Sequence, residues 1–314
     1  MEFVFLNMAE NVFDVIIVGG SVAGLSAALT LGRSLRSVMV IDGCAPCNRT
    51  SPYSHNFITQ DGNSPAGIIA AAKEQVTQYP TVSFSADEVV DAKKQQDNFH
   101  IVTASGKVFH AKRLLLCTGL TDIFPDVPGF SECWGISILH CPYCHGYEIR
   151  NEPTAVMANG EAAFHVAMLI YNWTPHITVL TNGVSQLRQQ EMESLENLGI
   201  KIIETEIMGV AQTDGQLEVV KFTDGSELKI GAMYAAIPFR QQSPLAEKLG
   251  CKMTAKGHIE VDDQHRTSVE GVYAAGDNTA EHRAISVAAA SGTVAGFTIN
   301  FDHVIPVLKS ETAK

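Results

Sequence analysis

The sequence predicts an α/β protein built of two parallel-sheet units, the second inserted into the first, and three stretches carry that prediction. The first is Asp14-Val-Ile-Ile-Val-Gly19-Gly20-Ser21-Val-Ala23-Gly24, an apolar β-branched run that passes through a glycine turn into an alanine-rich helix. The second, Pro153 to Ala163, repeats that order: a strand ending at Met157, the turn Ala158-Asn159-Gly160, then a helix. The third is Gly271-Val-Tyr-Ala-Ala-Gly276-Asp277, a further short strand that ends in a glycine and an acid.

Between these anchors the elements follow in order. Ser37 to Ile41 is a second strand ending in Asp42, and Cys44 to Pro65, rich in Pro, Ser and Asn, is loop. A helix is expected over Ala66–Gln78, strands near Val82–Phe84, Phe99–Thr103 and Lys107–His110, and a buried strand from Arg113 to the turn at Gly119. Pro125, Pro128 and Gly129 mark a crossover into the inserted unit. There the turn at Met157 is followed by strand Ile177–Leu180, helix Ser185–Leu198 and strand Ile202–Glu204. Asp224-Gly225 joins Gln216–Phe222 to Glu227–Ile230 as a hairpin. The chain returns near Pro238–Pro244, and a helix rich in small residues runs from Val287 to Ala295. The expected division is residues 1–119 with 246–314, and residues 120–245 as the insertion.

Composition excludes several function classes. With 314 residues, 46% hydrophobic and 18% charged, the chain has material for two full cores. A net charge of −12 without a basic stripe disfavours nucleic acid and anionic membrane surfaces. No apolar run approaches the roughly 20 residues of a membrane span. Met1 to Leu6 lacks the basic flank of a signal peptide. Seven scattered cysteines, an odd number, suit a reducing compartment. A cytoplasmic protein is the expectation.

The first turn has the chemistry of a dinucleotide fingerprint. Gly19 permits the tight turn, Gly24 brings the helix close to the strand, and the helix N-terminus offers N–H groups to a pyrophosphate. Ser21 stands where the middle glycine is usual, and Asp42 lies at the distance of an acid that binds a ribose. The second constellation is Cys141-Pro-Tyr-Cys144-His145. Two thiols at this spacing can close a disulfide or supply half of a metal site, and His145 adds a group that moves protons near neutral pH. A second pair, Cys44-Ala-Pro-Cys47, could be an auxiliary relay, two ordinary thiols, or a partner to the first pair in a four-sulfur zinc site, although zinc ribbons use far shorter separations. Cys117, Cys133 and Cys251 sit in apolar or glycine-flanked contexts and read as packing residues.

With the glycine turn, the Cys-x-x-Cys and the Thr267-to-Asp277 strand in this order, the chain resembles the low-molecular-weight thioredoxin reductases, class II pyridine nucleotide-disulfide oxidoreductases, from Asp14 to about Asn300. The resemblance implies two Rossmann-like, three-layer ββα domains, a homodimer, and FAD in the first domain. It would set Gly19, Gly20, Ser21, Ala23 and Gly24 against the pyrophosphate, Asp42 on the adenosine ribose and Val90 against the adenine. Thr118 and Gly119 would lie beside the cofactor, Gly276 and Asp277 at its ribityl and phosphate region, and Arg283, Ala284 and Ile285 at the flavin's N1/O2 edge. Cys144 would be the thiol nearer the flavin, Cys141 the thiol that exchanges with substrate, and no metal is implied.

Two departures bear on function. The inserted turn has lost its first glycine to Ala158 and gained Glu161, and no arginine follows Leu180 until Arg188, inside the expected helix. A 2′-phosphate would miss its charge-assisted contacts there, so NADPH use is in doubt. His145 stands where the reductases carry an aspartate, as in the Cys-x-x-Cys-His branch of thioredoxin-reductase-like proteins and FAD-dependent dithiol oxidases. The expected function is an FAD-dependent thiol–disulfide oxidoreductase acting on a thioredoxin-like protein or a small dithiol or disulfide. NADPH, O2, or a ferredoxin or flavodoxin remain as electron partners, and a flavin-bound redox sensor is the non-enzymatic alternative.

Overall fold

The structure, a computed structural model, describes residues 12–312, with side chains as far as 304. The expectation drawn from Met1–Leu6 lies outside the described residues. The chain divides into two units: residues 1–46, 66–121 and 240–314 form one, residues 47–65 and 122–239 the other. The loop 47–65, placed by the sequence reading in the first domain, groups with the second.

Unit 1 opens with β1 (Val12–Val18), α1 (Val22–Arg33), β2 (Val38–Asp42), α2 (Pro65–Thr77), β3 (Val82–Ala86), β4 (Val89–Gln95), β5 (Asn98–Thr103) and β6 (Val108–Leu116). The two stretches read as separate strands around Lys107–His110 and Arg113–Gly119 are one continuous strand, β6. Its first half pairs antiparallel with β5 and its second half parallel with β17 (Val272–Ala274). The sheet order is β3-β2-β1-β6-β5-β4. Alternation along β1 sorts its side chains onto two faces. Val15 and Ile17 join the core beneath α1, whereas Ile16 and Val18 join the core shared with β4 and β5. A strand buried on both faces has no polar alternation, which is why Asp14–Val18 reads as a continuous apolar run.

Crossing elements are β7 (Leu120–Asp122) and, on the return, β16 (Phe239–Gln241), which pair as a two-stranded ribbon. Unit 2 contains α3 (Phe130–Cys133), β8 (Ile138–Leu139), α4 (Pro142–His145), β9 (Thr154–Met157), α5 (Gly160–Ile170), β10 (Ile177–Leu180), α6 (Gln189–Asn197), β11 (Lys201–Ile203), β12 (Ile207–Thr213), β13 (Gln216–Phe222), β14 (Glu227–Lys229) and β15 (Ala232–Ala235). Its parallel sheet runs β11-β10-β9-β15-β8, and β12-β13-β14 form a separate antiparallel sheet. Again one face packs on helices, through Val156, Ala163 and Tyr234, and the other on the β layer, through Ala155, Met233 and Phe222. The fold is therefore the anticipated α/β class, two Rossmann-like layered units. The helix expected from Ser185 begins only at Gln189, because residues 185–188 are spent on a loop. Unit 1 finishes with α7 (Leu245–Lys248), β17 and α8 (Ile285–Thr312). Among the described residues, no helix is long and apolar enough to cross a membrane.

Candidate flavin cradle and dithiol site

In unit 1 the strand ends converge. Val18 pairs with Ile41 and with Leu116, and Leu116 with Ala274, so the carboxyl ends of β1, β2, β6 and β17 lie level along one edge of a parallel sheet. Ligands of open α/β sheets bind at this edge. It carries Gly19–Gly24 after β1, Asp42 closing β2, Thr118 and Gly119 after β6, and Gly276 and Asp277 after β17.

The turn after β1 tolerates no side chain. Gly19 has φ +105°, and a Cβ on it would lie 2.2 Å from the Cys117 carbonyl oxygen. A Cβ on Gly24 would lie 1.9 Å from the Gly19 carbonyl oxygen, so this glycine allows α1 to pack against the turn. Gly20 sits against the Asp42 side chain. Ser21 is the N-cap of α1, yet its side chain makes no capping hydrogen bond, and the first turn holds no acid. The N–H groups of that turn are thus left to an anion. Ala23 is buried beneath them.

Further along the edge, the Gly276 N–H donates to Ser291 Oγ at 2.9 Å. Asp277 faces Arg283, with Oδ2 and Nε 3.9 Å apart, and Arg283 and Ala284 lead into Ile285, the first residue of α8. Asn278, which the sequence reading passed over, is fully buried: its Nδ2 donates to the Leu116 carbonyl at 2.9 Å, while its Oδ1 has no protein partner. A glycine cradle, an uncapped helix start, a strand-end acid and an orphaned buried acceptor make a donor set that fits a dinucleotide such as FAD. Val90 lies in a bulge of β4, 41% exposed, and its carbonyl accepts from Lys248 Nζ at 3.0 Å.

In unit 2 the two cysteines sit on a single turn. Cys141 is the N-cap of α4 with extended backbone, Pro142 takes the first helical position, where its missing N–H is no loss, and Cys144 N–H bonds back to the Cys141 carbonyl at 3.1 Å. The sulfurs are 2.8 Å apart. Gly146 follows because a Cβ there would stand 2.8 Å from the Trp173 ring. Tyr143, between the cysteines, meets Trp173 edge-on and is largely exposed, and so is Tyr147, which stacks under Arg150.

His145 is set behind this turn. Its burial, with the charge of His55 in addition, holds the imidazole below its ordinary value, and Glu148 pulls the other way. His55 comes from the loop 47–65: its ring lies 6.5 Å from that of His145, its Nε2 3.6 Å from Glu148 and its Nδ1 3.7 Å from Asp61. Sequence reasoning missed His55 and Asp61, since nothing in a Pro/Ser/Asn-rich loop says which unit it packs on. Neutral imidazole beside a dithiol can take a proton as a thiol attacks.

Of the other cysteines, Cys44, Cys117, Cys133 and Cys251 are less suited to chemistry. Burial first, then the Asp42 carboxylate, push the Cys44 thiol up, and burial does the same to Cys117, Cys133 and Cys251. Among the described residues no cluster of His, Cys, Asp and Glu could hold a metal ion.

The corresponding turn of unit 2 spends a helix-start donor on its own side chain. Asn159 caps α5: its Oδ1 accepts from the N–H of Gly160 and of Gln186, both at 2.8 Å, and its Nδ2 donates to the Val184 carbonyl at 2.9 Å. Glu161 adds an acid to the first turn. Arg188, expected inside the helix, is instead the N-cap of α6, and its Nε donates to Glu191 at 2.9 Å.

The profile of the Pyridine nucleotide-disulphide oxidoreductase family matches residues 13–292, and the chain belongs to that family. Within it the chain is of the low-molecular-weight, thioredoxin-reductase-like kind: a disulfide oxidoreductase and flavoprotein whose cofactor is FAD. It is 32% identical to "Thioredoxin reductase tcpT" of Claviceps purpurea over 91% of this chain and 93% of that one. Among solved structures it is similar to TrxB of Bacillus anthracis, with a TM-score of 0.90 and 32% identity over 94% of this chain and 99% of the other. The oxidoreductase of Agrobacterium tumefaciens gives a TM-score of 0.88 and 34% identity over the same shares.

Proposed function

We propose that this protein is an FAD-dependent thiol–disulfide oxidoreductase that passes electrons between its flavin and an external dithiol or disulfide through Cys141 and Cys144. The observation that carries the reading is the pair itself: two sulfurs 2.8 Å apart on one turn, with the exposed ring of Tyr143 between them in sequence and the half-buried His145 directly after them. FAD, when bound, supplies the two-electron store. Gly19 to Gly24 and the start of α1 hold its pyrophosphate, Asp42 its ribose, and Asp277 with Arg283 the region beside α8. Thr118, Gly119, Ala284 and Ile285 line the same edge, and the backbone of Val90 lies outside it at the adenine end. Cys141 exchanges with the substrate sulfur, Cys144 is its resolving partner and the thiol that passes electrons to the flavin, and His145 accepts the thiol proton. A small dithiol, or the paired cysteines of a thioredoxin-like protein, is the substrate class that the exposed aromatic residues of the turn and the names of the relatives favour.

We further propose that NADPH is not the main electron partner. Asn159 occupies the first N–H of α5 and ties the turn to the loop 181–187, Glu161 repels a pyrophosphate, and Arg188 is committed to Glu191. That leaves O2, or a small iron–sulfur or flavin protein, to complete the cycle. We propose a homodimer as well, with α8, which exposes Phe297 and Phe301 one turn apart, as the face that would form it.

Anaerobic titration of the purified flavoprotein with NADPH, NADH and dithiothreitol in parallel tests the reading. Dithiothreitol should bleach the flavin, and both nucleotides should act slowly and alike. Cys144→Ser should abolish bleaching by the dithiol. Rapid reduction by NADPH together with turnover of a thioredoxin would restore a plain thioredoxin reductase. Bleaching retained in both Cys141→Ser and Cys144→Ser would remove the pair from the reaction.

A further inference from the structure

Unit 2 buries a phenol that nothing satisfies. Tyr234 of β15 is 1% exposed, and its Oη has no hydrogen-bond partner. Phenylalanine would fill the same space without stranding a hydroxyl, so the oxygen points to a partner in another state of the molecule.

The sheet register shows where such a partner lies. β15 runs parallel to β8, with Met233 opposite Ile138 and Tyr234 opposite Leu139. Ile138 and Met233 pack on one face of the sheet. Leu139 and Tyr234 pack on the other, with Val156, Ala163, Ala167 and Ile170. Cys141 is two residues beyond Leu139, past a bend at His140, so the dithiol turn starts at the end of β8 next to the Leu139–Tyr234 pair. Ile149, just after the dithiol turn, packs against the same cluster and folds that turn back over it.

The charges that bear on the phenol agree with this placement: they are those of Cys141, Cys144 and Glu148, and with burial they hold the hydroxyl above its ordinary value. Tyr234 therefore keeps its proton and can only donate it to a hydrogen bond. We propose that Tyr234 Oη–H is the hydrogen-bond donor that the Cys141–Cys144 pair acquires when one of its thiols becomes a thiolate. A thiol or a disulfide sulfur is a weak acceptor, and a thiolate is a strong one. The thiol's own proton leaves to His145 or to solvent, and the phenol's proton stays on its oxygen. The other titratable groups on or next to the dithiol turn are His140 before it, Tyr143 and His145 on it, Glu148 just beyond it, and His55 on the loop 47–65.

This inference rests on the reading of Cys141 and Cys144 as the redox pair, and one experiment separates the two. The flavin-loaded protein is reduced with dithiothreitol and desalted anaerobically. Alkylation of each cysteine by iodoacetamide is then followed by peptide mass spectrometry across the pH range in which thiols titrate. Tyr234→Phe should raise the alkylation midpoint of the pair by about one pH unit, roughly tenfold slower reaction below it, with flavin content and circular dichroism unchanged. A merely structural tyrosine would leave the midpoint where it was, and that result would overturn the assignment. Should Tyr234→Phe not fold, ring-fluorinated tyrosine at position 234, a stronger donor, should lower the midpoint, and an unmoved midpoint overturns the assignment equally. In the unreduced wild type both cysteines should resist alkylation. If they do not, the redox reading falls and the inference with it; if they do while Tyr234→Phe is silent, only the role of Tyr234 falls.

Discussion

The turns Val18–Gly24 and Met157–Ala163 follow one plan, strand to glycine to helix, and treat the helix start in opposite ways. In the first, Ser21 leaves its capping position unused and no acid enters the first turn, so backbone donors remain for a ligand. In the second, the Asn159 carboxamide takes the N–H groups of Gly160 and Gln186, and Glu161 follows directly. A helix N-terminus is an anion site only while its donors are unspent. The same architecture thus leaves its helix start open in one unit and partly spent on a side chain in the other.

Closing the first turn should have the largest effect. Gly24→Ala places a Cβ 1.9 Å from the Gly19 carbonyl oxygen, where backbone rather than a pliant side chain must move. The expected destabilisation is about 1–3 kcal/mol. Because α1 would be pushed off the pyrophosphate position, flavin affinity should fall by about tenfold or more, which corresponds to a loss of about 1.4 kcal/mol. Absorbance at the flavin band after gel filtration measures it. Full flavin content in Gly24→Ala would show that α1 does not hold the cofactor.

Opening the second turn is the converse test, with a smaller effect. Glycine is nearly as good an N-cap as asparagine, but Asn159→Gly also gives up the bonds to Gln186 and Val184, so it should cost about 1–3 kcal/mol while releasing the Gly160 and Gln186 donors. Paired with Glu161→Gln, it should tighten NADPH binding by about tenfold, as one recovered charge-assisted hydrogen bond would. Isothermal titration reads this directly. Unchanged affinity in the double variant would place the block elsewhere in the unit.

The contrast between the turns also shows what a sequence makes legible. Gly19, Gly24, Asp42 and Gly276 were readable because each stands at a fixed offset from a β-branched run, and the chemistry of a glycine turn is local. The layered α/β class followed for the same reason. The strand Val89–Gln95 went unseen because its outward face is charged and its pairing with β5 is bulged. The strand Ala232–Ala235, buried on both faces, is too short to show any period. At Asn159 the loss of a glycine was visible, but its two acceptor bonds depend on where the loop 181–187 folds. His55 was beyond reach, since only tertiary packing brings residues 47–65 against α4. Local chemistry can be read from neighbours in the chain; neighbours in space cannot.

The smallest predicted effects concern that packing, and they differ in sign. His145 is held below its ordinary value of 6.5, so it is neutral at and above neutral pH and becomes protonated only as the pH falls through the depressed value. The thiol half-reaction should therefore slow on the acid side of that value, where the imidazole can no longer accept a proton, and His145→Ala should be slower throughout and lose this acid limb. His55 lowers His145 whenever it is itself protonated, and Glu148 raises it. At a ring separation of 6.5 Å a unit charge screened as in water contributes about 0.6 kcal/mol, roughly half a pKa unit. His55→Ala should thus move the acid limb up in pH by about that amount, and Glu148→Gln should move it down, each leaving flavin content unchanged. Stopped-flow reduction of the flavin by dithiothreitol across the acid range measures all three. Shifts of the same sign in His55→Ala and Glu148→Gln would mean that neither acts through His145, and the proton would then have to be assigned to another group on the dithiol turn.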